Sequence, residues 1–314
     1  MAFLRKNRVG LALGGGGARG LAHIGVIRAL ERENVPVDIL VGTSIGALVG
    51  GAYASGMSPD EMENRVDEYL KSPIFETSAI KAFDQAHNQE NLDLTTRIQS
   101  YLKNRFFLIQ AMFRPGILSN EDFQATIDFF VPDIRIEETR LPFRAVATDL
   151  VSGELIVFSR GSLRQAVMAS CAVPGAVMPL REGERLLSDG GIICLIPSSV
   201  ARMEGADVVI AVAVDRDVVT DEELRTVVGI YHRVSEIMSS RLRKVELDNA
   251  DVVILPEVGD IHWTSFSRAG NLIREGEGAV HDKIHEIRKA TRGLKGWFKI
   301  KGVLKSKPLR RAVN

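Results

Sequence analysis

Residues 38–53 of the chain are DILVGTSIGALVGGAY, and they predict a buried strand, a sharp turn and a helix in direct succession. Within them Gly42-Thr43-Ser44-Ile45-Gly46 has the G-x-S-x-G pattern of a nucleophile elbow, a turn that lifts a serine hydroxyl clear of a sheet. Gly42 and Gly46 lack the Cβ atoms that would collide as the strand and the helix close up. The same letters also fit an ordinary helix start with Ser44 as its N-cap, so the pattern alone leaves both interpretations open.

The composition indicates a globular α/β protein. The 314 residues are 45% hydrophobic and 25% charged, which is enough for a sizeable core. The two cysteines, Cys171 and Cys194, form no C-x-x-C pair, which argues against a disulfide framework or a thiolate zinc site and favours a reducing cytosol. The uncharged run 39–57 could span a bilayer, but its many glycines favour a buried strand-turn-helix, so we expect no transmembrane segment.

Apolar runs and helical periodicities alternate along most of the chain. The pattern predicts a three-layer α/β fold, with a mostly parallel central sheet flanked by helices. We assign residues 1–290 to one domain, with 72–130 as a possible cap or insertion, and 291–314 to a basic tail. The strands are predicted at 8–13, 38–41, 143–150, 154–158, 185–188, 207–214 and 251–255, and the longer helices at 21–33, 58–70, 162–170, 220–247 and 268–289.

Two helix starts carry the S-x-x-E/Q pattern of a capping box. Ser58 is followed by Pro59 and Glu61, and Ser162 is followed by Gln165. In such a box the serine accepts a backbone N–H and the Glu or Gln returns a bond to the serine N–H. Thr220 is expected to cap a further long helix.

A second glycine-rich loop, Gly15-x-Gly17-x-x-Gly20, follows the first predicted strand and opens a helix. A dinucleotide site would need an acid at the end of the next strand, which instead ends in Gly42-Thr43-Ser44. A P-loop would need Lys-Ser or Lys-Thr after the glycines. The remaining functional use is a set of backbone N–H groups that stabilise developing negative charge, and a purely structural turn also stays open.

A nucleophilic serine needs a proton acceptor. Among six histidines, His262 lies in a predicted loop and is the best candidate for a Ser-His-Asp triad. Asp189 is the stronger candidate, because it ends a predicted strand and precedes Gly190 and Gly191, which let other backbone approach closely. Asp-Gly is also a common turn pair. Accepting a serine proton would require a water-poor site, since an exposed carboxylate has a pKa near 3.9.

Other histidines have simpler interpretations. His281 and His285 lie four residues apart on a predicted helix, where a metal pair is possible but a solvated face is favoured. His23, just after the glycine loop, is expected to pack on the following helix.

Three motifs in order, GGGGARG from Gly14, GTSIG from Gly42 and DGG from Asp189, resemble the patatin-like phospholipase family, particularly its compact bacterial members. The stretches LAHIGVIRAL, ATDLVSGE and ASCAVPGAVMPL are also similar, and the resemblance covers roughly residues 8–215. It implies a dyad without histidine, in which Ser44 is the nucleophile and Asp189 its partner. Many family members have Asp where this chain has Gly14, which removes a side-chain hydrogen bond but no backbone donor.

The resemblance also implies the rest of the machinery. The oxyanion hole would be formed by the loop that contains Gly15, Gly16, Gly17 and the amide near Arg19, with Gly20, Gly42, Gly46, Gly190 and Gly191 as motif glycines. It implies hydrolysis of acyl esters, commonly of phospholipids or lysophospholipids, through an acyl-serine intermediate. No metal or other cofactor is implied.

Two regions suggest contact with lipid. Residues 72–130 hold eight of the thirteen phenylalanines and predict either a helical core insertion or a cap with an apolar channel. From Arg288 onward the chain has ten Lys or Arg residues, no Asp or Glu, and Trp297-Phe298. Such a tail fits either a solvated segment or peripheral contact with an anionic membrane, on its inner face for a cytoplasmic protein. Nucleic-acid binding is not expected, because no binding fold accompanies the charge.

The sequence therefore predicts a lipid acyl hydrolase of the serine esterase type, acting in lipid degradation on phospholipid or lysophospholipid esters. Two alternatives stay open: a non-catalytic, membrane-associated adaptor that retains the fold, and an esterase with a histidine triad through His262.

Overall fold

The computed structural model describes residues 6–78, 80–81, 84, 118–215, 227–259 and 261–292. These residues form an eight-stranded sheet with the order β5-β6-β3-β2-β1-β7-β8, in which β4 pairs with β3 outside this path. The strands are β1 Val9–Leu13, β2 Ile39–Thr43, β3 Phe143–Asp149, β4 Leu155–Phe158, β5 Leu180–Glu182, β6 Arg185–Asp189, β7 Val208–Val212 and β8 Val252–Ile254.

The α-helices of the described residues alternate with these strands. They are α1 Ala22–Arg32, α2 Ile45–Ala54, α3 Pro59–Leu70, α4 Pro73–Glu76, α5 Asn120–Phe130, α6 Leu163–Ser170, α7 Ser198–Met203, α8 Val227–Leu247 and α9 Ala269–Arg292. Short 3₁₀ turns lie at Gly17–Leu21, Ile136–Glu138, Gly190–Ile192 and Phe266–Arg268.

The sheet is mostly parallel, as predicted. Strands β1, β2, β3, β7 and β8 run parallel to one another, whereas β4, β5 and β6 form antiparallel pairs. Side chains alternate between two apolar layers: Leu11 of β1 packs with residues of α1 and α9, and Ala12 packs with Val200 and Ala201 of α7. This arrangement confirms the predicted three-layer α/β class. The run 39–57 forms β2, α2 and the turn after them.

One capping prediction is confirmed and one is wrong in part. At α3 the Glu61 N–H donates to the Ser58 hydroxyl (3.2 Å) and the Ser58 N–H donates to the Glu61 carboxylate (2.7 Å). At α6 the Ser162 hydroxyl accepts the Gln165 N–H (3.3 Å), but the Gln165 side chain lines an open cavity instead of completing a box. The predicted cap at Thr220 lies outside the described residues.

The aromatic region is helical where the structure describes it. Helices α4 and α5 pack on α3 through rings, with the Tyr69 centroid 5.5 Å from that of Phe75 and 5.0 Å from that of Phe130. Phe83, Phe106, Phe107 and Phe113 and the tail 293–314 lie outside the described residues. Strand β5, three residues long and mostly exposed, was not predicted.

Among the described residues, no helix combines the length and the apolar character needed to cross a bilayer.

Candidate active site

The two predicted catalytic residues meet because two strands end beside the same edge of β3. Thr43, the last residue of β2, pairs with Val146, and Asp189, the last residue of β6, pairs with the next residue, Ala147. Strand β4 pairs with the opposite edge at these positions, so β2 and β6 share one edge and arrive from opposite directions. Their ends therefore lie head to head, and Ser44 reaches Asp189 across the gap.

Ser44 has the backbone of an elbow. Its φ of 55° and ψ of −126° lie in a region that side-chain-bearing residues rarely adopt. The Ser44 N–H donates to the buried Ser170 hydroxyl at 2.9 Å. Ser44 occupies the N-cap position of α2, but its hydroxyl makes no capping bond, so the side chain does not serve as a cap. Instead, the hydroxyl lies beside the Asp189 carboxylate, close enough to oppose the rise in its pKa.

The glycines around Ser44 are required by close backbone contacts. A Cβ on Gly42 would lie 2.4 Å from the carbonyl oxygen of Gly46, and a Cβ on Gly46 would lie 2.2 Å from that of Leu13. A Cβ on Gly190, next to Asp189, would lie 2.4 Å from the Val146 carbonyl oxygen. Side chains at these positions would push the strand ends apart and separate the two predicted catalytic residues.

Asp189 is a buried carboxylate without a cationic partner among the described residues. It is 6% exposed, and the Gly191 N–H donates to its Oδ1 at 2.6 Å. Burial raises the pKa of Asp189 to about 6, while the nearby Ser44 hydroxyl and the hydrogen bond from Gly191 oppose the shift. A carboxylate with this pKa is a better proton acceptor than an exposed one. The burial of Asp189 therefore provides the water-poor site that proton transfer from a serine requires.

The glycine loop lies directly beside Ser44. A Cβ on Gly15 would be 3.3 Å from that of Ser44, and a Cβ on Gly20 would be 2.1 Å from the side chain of Ile45. The Gly15 N–H donates to the Leu195 carbonyl at 2.9 Å. Within the described chain, we find no acceptor for the N–H groups of Gly16 and Gly17, which remain available to a ligand.

The Arg19 side chain braces this loop. Its Nε donates to the Gly16 carbonyl at 3.2 Å, which fixes the peptide that precedes Gly17.

Comparison with known proteins identifies the family. The model of the family described as patatin-like phospholipase matches residues 11–199. The chain belongs to the patatin-like phospholipase family. The match includes the glycine loop, the Ser44 elbow and the Asp189-Gly190-Gly191 turn.

The similar curated proteins are longer than this chain. An uncharacterized NTE family protein of Mycobacterium tuberculosis is 36% identical over 208 residues, which cover 66% of this chain and 49% of that protein. Patatin-like phospholipase domain-containing protein 6 of Homo sapiens is 36% identical over 220 residues, which cover 69% of this chain and 14% of that protein. The chain thus spans about half the length of the mycobacterial relative and a smaller share of the human one.

The solved structures are more distant. The crystal structure of VipD from Legionella pneumophila aligns with a TM-score of 0.45 at 14% identity, covering 91% of this chain and 67% of that one. ExoU in its complex with SpcU from Pseudomonas aeruginosa gives a TM-score of 0.41 at 15% identity, covering 91% and 53%.

His23 is hydrogen-bonded to the first residue of the glycine loop. The ring is fully buried in the first turn of α1, and its Nε2 lies 2.8 Å from the Gly14 carbonyl oxygen. Burial lowers the pKa of His23 to about 4, against the opposing effect of this hydrogen bond. The ring is therefore neutral at neutral pH and carries its proton on Nε2, from which it donates to Gly14.

The remaining histidines have other surroundings. Nδ1 of His262, the atom that a triad carboxylate would hold, lies 2.8 Å from the Thr264 hydroxyl. His281 and His285 are exposed on α9. The described residues contain no cluster of three or more potential metal ligands.

Sequence reasoning missed a segment that contacts both ends of the patatin-like site. The Ser170 hydroxyl accepts the Ser44 N–H, and the Cys171 thiol, on the next residue, lies beside the Ser44 side chain. The carbonyl of Ala172 accepts the Asp189 N–H at 2.9 Å. Burial and the nearby Asp189 charge raise the pKa of the Cys171 thiol well above its usual range. The sequence signal for this segment is the stretch ASCAVPG at residues 169–175, which contributes to the family resemblance but does not by itself indicate contact with Ser44 or Asp189.

Proposed function

We propose that the protein is a serine hydrolase that cleaves acyl esters of phospholipids or lysophospholipids on a Ser44–Asp189 dyad. The observation that carries the proposal is the Ser44 hydroxyl, raised on a strained turn beside a buried carboxylate whose pKa is about 6. Membership of the patatin-like phospholipase family supports lipid hydrolase activity in general. The dyad and the ester class are the finer proposal.

In the first half-reaction Ser44 Oγ attacks the ester carbonyl carbon while its proton passes to Asp189. The tetrahedral oxyanion is stabilised by the N–H groups of Gly16 and Gly17, which have no other acceptor among the described residues. Such donors are worth about 3 kcal/mol each when they meet the developing charge in a water-poor site. As the C–O bond to the alcohol breaks, Asp189 returns the proton to the leaving oxygen, and the acyl group stays on Ser44.

In the second half-reaction water attacks the acyl-serine carbonyl and gives its proton to Asp189. The same N–H groups stabilise the second oxyanion. When the bond to Ser44 Oγ breaks, the proton returns to that oxygen, and a free fatty acid leaves. No metal or cofactor takes part in this scheme.

The proposal predicts a characteristic pH dependence. Asp189 can accept a proton only as the carboxylate, so kcat/KM for a soluble ester should fall as the pH drops through about 6. Asp189→Asn should lower kcat by about 10²–10⁴-fold. His262→Ala should leave turnover largely intact. We would measure hydrolysis of a short-chain p-nitrophenyl ester between pH 4.5 and 8.

Active-site labelling tests the nucleophile directly. Incubation with a fluorophosphonate, followed by peptide mass spectrometry, should place the label on Ser44, and Ser44→Ala should abolish it. Protein that stays unlabelled and inactive would favour the adaptor alternative, whereas a large loss of turnover in His262→Ala would favour the histidine triad. A panel of phospholipids and lysophospholipids would then define the head group and the position of the cleaved ester.

We also propose the assignment of 1–290 to the hydrolase domain and of 291–314 to a tail for peripheral contact with anionic membranes. The support is the composition of the tail, which has eight Lys or Arg residues, no Asp or Glu, and Trp297-Phe298. A cytoplasmic, peripheral location follows from the same proposal.

A further inference from the structure

Helix α8 carries a row of exposed apolar side chains. The row recurs at spacings of three and four residues, so its members share one face of the helix. Each member is 36–61% exposed. A contiguous apolar patch of this kind on a soluble protein marks a surface that binds a partner or a membrane. We call it the α8 stripe: Ile230, Val234, Ile237, Met238, Leu242 and Val245.

The stripe lies on the side of the molecule that carries the candidate site. Arg243 pairs with Asp215 at 3.3 Å, and Asp215 follows the carboxyl end of β7. The neighbouring Val214 carbonyl oxygen would be 3.2 Å from a Cβ on Gly16, so Arg243 lies level with the glycine loop.

The chain beyond Arg243 leads away from that edge. Glu246 accepts the Ser199 N–H at 2.9 Å, and the Asp251 N–H donates to the Val209 carbonyl near the start of β7. The part of α8 before Arg243 must therefore extend past the carboxyl edge of the parallel strands, which is the edge at which Ser44 lies. At 1.5 Å per residue, Ile230 lies about 20 Å along the helix from Arg243.

The charges near the stripe select its partner. Arg241 lies within the apolar row and Lys244 borders it, and neither has an acidic partner among the described residues. The nearby acids are engaged, because Glu236 pairs with Arg233 at 3.3 Å and Glu246 binds Ser199. Two copies joined through this face would enclose four cations without an acid in either stripe, whereas an anionic lipid surface offers both apolar tails and negative head groups.

We propose that the α8 stripe docks the protein on the surface of an anionic lipid aggregate and holds the Ser44 edge toward it. The inference rests on the proposed lipid ester hydrolysis for its biological meaning, but vesicle binding can be measured without turnover. Insertion of Ile237 and Met238 among the head groups, together with contact of Arg241 with lipid phosphate, would provide the affinity.

The test compares two full-length variants in a Ser44→Ala background, which leaves the lipid intact. Ile237→Glu/Met238→Glu should sediment with phosphatidylglycerol vesicles at least about tenfold more weakly than the parent protein. His281→Glu/His285→Glu adds the same charge on the exposed face of α9 and should bind like the parent. With Ser44 present, the stripe variant should retain turnover of a soluble p-nitrophenyl ester.

Several outcomes would overturn the proposal. They are a parent protein that does not sediment with vesicles, equal binding by the two variants, and a lower unfolding midpoint in the stripe variant alone, which would mean that the chain itself covers the stripe. Light scattering that shows a dimer, dissociated only by the stripe variant, would identify a second copy as the occupant. Vesicle binding without ester turnover in the unmodified chain would refute the proposed function and leave the docking surface standing.

Discussion

Two buried polar clusters of this molecule are built on opposite principles. At the junction of α1, α3 and α9, the Arg28 guanidinium is surrounded by carboxylates, at 2.9 Å from Asp60, 2.5 Å from Glu63 and 2.8 Å from Glu277. Burial alone would lower the pKa of Arg28, but the hydrogen bonds to Glu277 and Glu63 raise it above its ordinary value. Here the charged form is the stabilised one.

At the ends of β2 and β6 the opposite holds. Asp189 is buried without a cation among the described residues, its pKa is raised to about 6, and Ser44 beside it has a strained backbone. The charged form is destabilised, and the surrounding fold maintains it at neutral pH. The contrast indicates that the Arg28 cluster contributes stability, whereas the Ser44–Asp189 pair costs stability, which fits the proposed role of Asp189 as a proton acceptor.

The largest expected effect on stability is a gain from Asp189→Asn. Because the folded-state pKa lies above the usual value, ionisation of Asp189 removes stability as the pH rises from about 4 through about 6. Asparagine avoids this cost, so the free energy of unfolding of the variant should be about 2–3 kcal/mol higher than that of the parent protein at pH 7.5. Chemical denaturation at several pH values would measure the difference.

The sign of the pH dependence distinguishes this explanation from a packing effect. The gain should shrink below pH 6 and vanish near pH 4, where Asp189 is neutral in both folded and unfolded chains. A gain that is constant with pH, or a loss at pH 7.5, would contradict the comparison.

The second effect has the opposite sign. Arg28→Met keeps the apolar stem of the side chain but leaves three carboxylates facing one another, and it should cost about 2 kcal/mol. The cost is expected below the usual range for a buried pair, because the Asp60 side chain is 82% exposed and that of Glu63 is 38% exposed. Denaturant unfolding at pH 7.5 is the measurement. Lys283→Met, which breaks the surface pair with Glu286, is the control and should change little. An unchanged stability in Arg28→Met would refute the contrast.

Local patterns in the sequence predict most of the fold, and they mark Ser44 and Asp189 as the candidate catalytic pair. Buried strands are continuous apolar runs, and Gly42 is required by a contact with Gly46 within the same motif. Gly46 and Gly190, in contrast, are required by backbone carbonyls of distant strands. Strand β5 could not be predicted, because three mostly exposed residues carry no burial pattern.

The contacts that support the site could not be predicted, because they are long-range. Ser170, whose hydroxyl accepts the Ser44 N–H, lies 126 positions from Ser44 along the chain. Likewise, the use of the Gly15 N–H depends on the Leu195 carbonyl, and no local pattern places that loop beside the glycines. The sequence therefore predicts four oxyanion donors in the glycine loop, at Gly15, Gly16, Gly17 and Arg19, and only the structure shows that the Gly15 N–H has an acceptor.

The smallest effect sharpens the comparison with two serines that are both fully buried. The Ser170 hydroxyl accepts the Ser44 N–H, whereas the Ser198 hydroxyl has no hydrogen-bond partner within the described chain. Ser170→Ala leaves the Ser44 N–H unsatisfied and should cost about 1–2 kcal/mol, while Ser198→Ala removes a buried polar group without a partner and should be neutral or stabilising.

The serine pair also tests whether Ser170 positions the proposed nucleophile. Fluorophosphonate labelling of Ser44 should slow in folded Ser170→Ala and stay unchanged in Ser198→Ala. Of these two serines, Ser170 is the one that contacts the strained Ser44 peptide. If both variants lose the same stability and label at the parent rate, Ser170 is an ordinary core residue. The strain at Ser44 would then be held by the close contacts of Gly42 and Gly46 alone, because these fix the strand end and the helix start regardless of the Ser170 hydroxyl.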